Sequence, residues 1–281
     1  MVDRRSRIKL SAGQISWREA GDARLPTVIF LHGSWHDSTQ WHEAIEISSK
    51  KFHCLAIDLL GYGNSTAIET STSIEMQVDC LHEFLTALNL RPVYLLGHSL
   101  GAWIALAYTL KYPDLVRGAI AISPEGFSLA NWQKYSILTK FLLARPWLFK
   151  LWLNGLKALT SVIDGASPLA KSQAYWSFFN KFPTTRKLLF ERSNRVIRRE
   201  LVAERIALFK PPLLIIQSDA DDRAVIEQSQ ACSQAFDRAE FKLIKEADFA
   251  PQVLTIQITR EIEDFIDRIQ AQIDREKVEL W

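Results

Sequence analysis

The chain has 281 residues, of which 48% are hydrophobic and 23% are charged, and its formal net charge is +2. This length suffices for one large core with an insertion, and the nearly neutral total argues against a nucleic-acid-binding protein. Three cysteines are an odd number without paired spacing, which argues against a disulfide framework and favours reduced thiols in the cytoplasm. Neither a signal-peptide core nor an apolar stretch of ~18 residues that could span a bilayer is present.

Short runs of β-branched and aromatic residues alternate with helical patterns along the chain. The predicted strands are 27–31, 54–57, 93–96, 119–122, 213–216 and 241–244. The predicted helices are 74–90, 102–110 and 258–273. This alternation predicts an α/β fold, in which a mostly parallel sheet is flanked by helices.

The alternation stops after the fourth predicted strand and resumes near residue 211. We therefore assign residues 1–124 and 211–281 to the core and residues 125–210 to an inserted helical cap or lid. Residues 126–190 carry nine Lys or Arg and one acid, a net charge of +8, whereas the remainder carries −6. Such a basic and aromatic segment fits either a lid over an apolar pocket or a surface that contacts membranes.

Three motifs follow predicted strands in the core. They are Leu-His-Gly-Ser-Trp at 31–35, Asp-Leu-Leu-Gly-Tyr-Gly-Asn-Ser at 58–65 and Gly-His-Ser-Leu-Gly at 97–101. The third lies between an apolar strand and an apolar helix, which is the context of a nucleophile elbow. Glycines allow the tight turn that exposes such a serine.

Together these motifs resemble those of the α/β-hydrolase fold, over roughly residues 15–273. The resemblance implies that Ser99 is the nucleophile and that the backbone N–H groups of Ser34 and Leu100 form an oxyanion hole. It places the catalytic acid at Asp221, after the predicted strand 213–216, with Asp222 as the alternative. His98 is interpreted as a structural neighbour of the nucleophile.

The histidine of such a triad is expected after the strand 241–244, in the stretch Ala-Asp-Phe-Ala-Pro-Gln at 247–252. By resemblance, Phe249 occupies the histidine position, and phenylalanine cannot accept a proton. All six histidines of the chain precede Ser99. Asp248 and His36 remain as substitute bases, although a carboxylate is a weaker base than imidazole.

Two functions stay open. The first is a serine hydrolase, either a carboxyl-ester hydrolase or an acyl transferase, with low or unusual activity on a small to medium hydrophobic substrate. The second is a non-catalytic binding protein for an apolar ligand.

Candidates for substrate binding are Trp35, Trp147 and Trp152. Peripheral membrane contact through the cap is a further hypothesis. Ser99 argues against dehalogenases and epoxide hydrolases, which use aspartate there, and no metal or cofactor motif is visible.

Overall fold

A computed structural model of the protein describes residues 4–68, 72–127, 180–234, 236, 238–245 and 256–279, together with 145, 148, 151, 154 and 177. The chain divides into two compact units, one formed by residues 1–128 and 200–281 and the other by residues 129–199. That the second unit acts as a cap, within the predicted range 125–210, stays a prediction.

The first unit contains a nine-stranded sheet among the residues described. Its strands are β1 (Arg4–Leu10), β2 (Gly13–Ala20), β3 (Thr27–Leu31), β4 (His53–Ile57), β5 (Thr66–Ala67), β6 (Val93–His98), β7 (Val116–Ile122), β8 (Leu213–Ser218) and β9 (Ala239–Ile244). The spatial order is β1-β2-β4-β3-β6-β7-β8-β9, and β5 pairs with β2. From β4 to β9 all neighbouring strands are parallel, whereas the β1–β2 and β2–β4 pairs are antiparallel.

Helices follow most of the strands. They are α1 (His42–Ser48), α2 (Ile74–Ala87), α3 (Leu100–Lys111), α4 (Pro183–Arg186), α5 (Asn194–Glu200), α6 (Arg223–Gln234) and α7 (Ile256–Glu279). A π-helical turn at Lys187–Glu191 and 3-10 turns at Ser38–Trp41, Pro113–Leu115 and Ala203–Leu208 complete the regular structure described. In the described part of the chain, no helix combines the length and apolar character needed to cross a membrane.

Burial explains why the central elements are apolar on all sides. Val93–Leu96 of β6 are fully buried, and every α3 residue from Leu100 to Thr109 is buried as well. A parallel strand covered on both faces has no side left for polar residues. Helix α7 instead buries one stripe, which confirms the predicted amphipathic pattern: Ile258, Ile262, Phe265 and Ile269.

The structure differs from the sequence prediction at several elements. The β1–β2 hairpin, α1 and α6 were not predicted, because their few apolar residues are interspersed with charged and polar ones. Helix α2 ends at Ala87 rather than Leu90, since Asn89 has a φ of 53°, which a helix cannot continue through.

The parallel arrangement brings the loops after β3, β6, β7 and β8 to one edge of the sheet. These strands end at residues 31, 98, 122 and 218, so all the predicted catalytic residues of the described chain follow a strand end. Ligand sites of α/β sheets form at this edge.

Candidate active site

Ser99 lies at a strained turn between β6 and α3. Its φ of 52° and ψ of −112° are rare for a residue with a side chain, and such strain costs ~1–3 kcal/mol. The backbone N–H of Ser99 donates to Ile122 O of β7 at 2.9 Å, which fixes the turn to the neighbouring strand. The structure therefore holds the predicted nucleophile as an elbow requires.

Two glycines allow β6, α3 and β3 to pass each other in backbone contact. A Cβ at Gly97 would lie 2.3 Å from the carbonyl of Gly101, and one at Gly101 would lie 2.2 Å from Leu31 O. Because the obstacles are backbone atoms, no side-chain movement could relieve such contacts. The spacing of the glycines in the motif thus has a steric cause.

The Ser99 hydroxyl donates a hydrogen bond to a carboxylate that sequence analysis missed. Ser99 Oγ lies 3.0 Å from Glu125 Oε1, and Ser34 Oγ donates to Glu125 Oε2 at 3.4 Å. The Glu125 N–H donates to Ser99 O at 3.2 Å. Glu125 is the first acid after β7, and the pairing of β7 with β6 brings its loop to Ser99.

The loop after β3 brings Ser34 to the elbow. Ser34 is buried, and Gly33 N donates to Gln40 Oε1 at 3.0 Å. Leu100 is the first residue of α3, and N–H groups of a first helical turn have no acceptor inside the helix. The positive end of the helix dipole also lies there, so this edge suits an oxyanion. Trp35 is half-buried in the same loop.

Asp221 follows β8 and is fixed by a half-buried hydrogen-bond network that extends into the core. Its Oδ2 accepts from Ser123 Oγ at 2.9 Å and from the Nε2 of the fully buried Gln217. Gln217 Oε1 in turn accepts from Ser229 Oγ of α6 at 2.8 Å. Ser123 directly follows β7, so Asp221 lies at the same sheet edge as Ser99. Asp222 is exposed and its carboxylate accepts from Ala224 N, a turn contact.

The histidines of the described chain near this edge make structural contacts. The Gln40 amide donates to His98 Nδ1 at 2.9 Å. Burial, with smaller effects of His36 and His32, lowers the pKa of His98 to about 3. The Leu59 N–H donates to Nε2 of the fully buried His32, and burial lowers the pKa of that ring too. These contacts agree with the interpretation of His98 as a structural neighbour.

His36 lies beside His98, with ring centroids 6.4 Å apart. Four predicted site residues lie outside the described residues: Asp248, Phe249, Trp147 and Trp152. Among the residues that the structure does describe, no group of three or more His, Cys, Asp or Glu side chains could hold a metal ion.

A profile of the alpha/beta hydrolase fold matches residues 26–254. The chain is 36% identical to (E)-2-((N-methylformamido)methylene)succinate hydrolase of Acinetobacter baylyi over 90 residues. The aligned stretch covers 32% of this chain and 34% of that protein. Over 121 residues the chain is 33% identical to 1-acylglycerol-3-phosphate O-acyltransferase of Arabidopsis thaliana, 41% of this chain and 29% of that protein. The chain thus spans about a third of the length of these curated relatives.

Among solved structures, the haloalkane dehalogenase of Bradyrhizobium elkani USDA94 superposes with a TM-score of 0.72 at 19% identity. The superposition covers 96% of this chain and 100% of the dehalogenase. At this identity the likeness concerns the fold alone. The profile match, which covers most of the chain, agrees with the sheet order and the elbow described above: the chain belongs to the alpha/beta hydrolase fold family.

Proposed function

We propose that the protein is a serine hydrolase that cleaves carboxyl esters or transfers their acyl group, with Ser99 as the nucleophile. One observation carries the proposal: Ser99 has the strained elbow conformation and its Oγ donates to a carboxylate 3.0 Å away. An elbow serine is costly to maintain and is useful chiefly as an exposed nucleophile. Acyl transfer is also the activity named for the Arabidopsis relative.

The oxyanion hole in this proposal is formed by the backbone N–H groups of Ser34 and Leu100. Removing one such donor from a serine hydrolase costs ~10²–10³ in turnover, and the oxyanion hole together with binding accounts for the catalysis that survives without a triad histidine. The position of Leu100 at the start of α3 supports the assignment, since the helix dipole favours negative charge there.

Asp221 is the proposed catalytic acid, with Asp222 as the alternative, and Phe249 stands where a histidine is expected. Loss of the triad histidine lowers turnover by a factor on the order of 10⁶ in a well-studied serine protease, and ~10³–10⁴ over water remains. We therefore expect low or unusual activity, restricted to esters with good leaving groups. Asp248 and His36 are the substitute bases suggested by the sequence.

The substrate proposed is a small to medium hydrophobic molecule, with Trp35, Trp147 and Trp152 in its binding site. The names of the two curated relatives give small molecules as their substrates.

All three cysteines of the chain are free, and burial raises the pKa of Cys54 and Cys80 to about 12. Unpaired thiols are typical of a reducing compartment, which supports the proposed cytoplasmic location.

Labelling with a fluorophosphonate probe at pH 7 tests the assignment of Ser99. We expect the wild-type protein to be labelled at Ser99, as located by peptide mass spectrometry, and the Ser99→Ala variant not to be labelled. Hydrolysis of p-nitrophenyl butyrate should disappear in the same variant. Failure of the folded wild-type protein to react over several hours would contradict a nucleophilic role.

A non-catalytic binding protein for an apolar ligand is the second candidate, favoured by Phe249. This function predicts that the Ser99→Ala variant binds hydrophobic esters as tightly as the wild type, with neither protein consuming them. Isothermal titration with an alkyl ester, followed by product analysis, separates the two functions. Product formation that depends on Ser99 would exclude the binding-only alternative.

Peripheral membrane contact is a separate proposal for the basic segment, in which five Lys or Arg lie between residues 134 and 157. Each cation near an anionic surface contributes about 1 kcal/mol, and added salt screens this attraction. We expect co-sedimentation with anionic but not neutral liposomes at low salt, reduced at high salt. Equal, negligible sedimentation under all four conditions would rule out membrane contact.

A further inference from the structure

The proposed serine chemistry needs a base, and the structure places a carboxylate directly on the hydroxyl that must lose its proton. Ser99 Oγ donates to Glu125 Oε1 at 3.0 Å, without any intervening side chain. We propose that Glu125 is the general base of Ser99, taking the place that the triad histidine has elsewhere. This inference rests on the proposed function and adds to it a catalytic residue on the loop after β7.

Several contacts fix the Glu125 carboxylate and its loop. Its second oxygen accepts from Ser34 Oγ at 3.4 Å, and its N–H donates to Ser99 O at 3.2 Å. The next residue, Gly126, has a φ of 90°, and a Cβ there would lie 2.3 Å from the buried Trp103 ring. The Gly126 carbonyl accepts from Val202 N at 2.9 Å. The carboxylate is therefore held between Ser99 and the loop after β3.

Two other titratable groups that the structure describes at this sheet edge make hydrogen bonds elsewhere. Asp221 accepts from Ser123 and Gln217, and His98 Nδ1 accepts from Gln40. Because burial lowers the pKa of His98 far below 7, that ring is a poor proton acceptor. Glu125 is thus the titratable residue whose contact with Ser99 Oγ supports proton transfer.

The proposed reaction has two steps, acylation of Ser99 and deacylation. As Ser99 Oγ bonds to the ester carbonyl carbon, its proton moves to Glu125, and the carbonyl oxygen becomes an oxyanion. Collapse breaks the carbon–alkoxy bond, the Glu125 carboxylic acid protonates the departing oxygen, and an alcohol and an acyl-serine result. Glu125 then takes a proton from water (or an acceptor alcohol), whose oxygen attacks the acyl carbon. Collapse releases the acid or new ester and returns the proton to Ser99 Oγ.

A carboxylate is a weaker base than imidazole but stays deprotonated at lower pH. The reference pKa values are ~4.3 for Glu and ~6.5 for His, a difference of about 2 units. Reaction should therefore be slow and favour esters with acidic leaving groups. The pH profile of Ser99 reactivity is a readout that a structural role of Glu125 would not change.

The test compares Glu125→Gln with Glu227→Gln, a substitution of the same chemistry at an exposed position of α6 that is bonded only to Arg223 among the contacts described. A glutamine can still accept the Ser99 hydrogen bond but cannot take its proton. Fluorophosphonate labelling rates and p-nitrophenyl butyrate hydrolysis are measured from pH 4 to 8. Thermal melting verifies folding, and Glu125→Asp provides a conservative variant.

We expect Glu125→Gln to lower both rates by ~10²-fold or more, the usual scale of general-base catalysis, with Glu227→Gln unchanged. Glu125→Asp should recover part of the rate, and the pH dependence seen in the wild type should be absent from Glu125→Gln. A folded Glu125→Gln protein with wild-type rates would overturn the role of Glu125 while Ser99 remains the nucleophile. A pH profile of Ser99 reactivity that is identical in the wild type and in folded Glu125→Asp would also overturn it. No labelling of the wild type would instead refute the proposed function itself.

Discussion

Gly101 in the first turn of α3 provides a sharp test of how the elbow is built. An alanine Cβ there would lie 2.2 Å from Leu31 O, 2.5 Å from Leu31 C and 2.7 Å from His32 O. Ordinary van der Waals contact begins at 3.4 Å, so the helix start and the end of β3 would have to separate by more than 1 Å. Both partners are backbone segments in a buried core, and neither can turn away.

The expected effect has opposing contributions. In an exposed helix, Gly→Ala stabilises by ~1 kcal/mol, whereas overpacking a tight core costs ~1–3 kcal/mol and sometimes more. Because the obstacle is backbone, we expect Gly101→Ala to lower the free energy of unfolding by about 2 kcal/mol or more. The same displacement would separate the Leu100 N–H from Ser34, and a 1 Å misplacement can cost ~10²-fold in rate.

Gly118→Ala in β7 is the matched control. Its added Cβ would meet Ile269 Cδ1 at 2.8 Å, which is the end of a flexible side chain, and other atoms only from 3.4 Å. We expect the free energy of unfolding to change by no more than ~1 kcal/mol, since alanine is more favourable than glycine within a strand. Urea unfolding and the fluorophosphonate labelling rate are measured for both variants. Equal stability and equal labelling of the two would refute the steric account of the elbow.

Three further predictions concern the base, the histidines and the acid. If Phe249 occupies the histidine position, Phe249→His should raise p-nitrophenyl ester turnover by at least ~10²-fold, and no gain in a folded variant would contradict the alignment. Burial lowers the pKa of His32 and His98, so below pH 6.5 the unfolded chain binds more protons than the folded one. Urea titrations should then show that the free energy of unfolding is highest above pH 6.5 and falls towards pH 4, by up to ~1.4 kcal/mol per pH unit for each histidine. A His98→Asn variant whose free energy of unfolding falls with pH as steeply as that of the wild type would exclude a contribution of that ring. Gln217→Met deprives Asp221 of a buried donor and should destabilise by ~2–3 kcal/mol in urea, whereas wild-type stability would show that the network is dispensable.

The sequence predicted the centre of the fold well because burial there leaves a strong pattern. The runs at 27–31, 93–96 and 213–216 are apolar on both faces, and the structure shows parallel strands at all three. The β1–β2 hairpin lacks such a pattern. Strand β1 reads Arg-Arg-Ser-Arg-Ile-Lys-Leu, and only backbone pairing with β2 shows that it is a strand.

The candidate site was predictable only where motifs report on it. Ser99 is indicated by the elbow motif between a strand and a helix, whereas Ser34 and Leu100 are what the resemblance of the motifs implies. Glu125 belongs to no motif, and its relevance depends on the pairing of β6 with β7, which brings the two loops together. The proximity of the two loops follows from the order of strands in the sheet, which a pattern along the chain does not reveal.

The position of β1 at the border of the sheet has a consequence for association between molecules. A border strand offers unpaired peptide groups to any second copy that approaches. Here four of its seven residues are exposed cations, Arg4, Arg5, Arg7 and Lys9. Two copies aligned through their β1 strands would set these cations against each other, so electrostatic repulsion opposes such pairing, and concentrated salt weakens the repulsion.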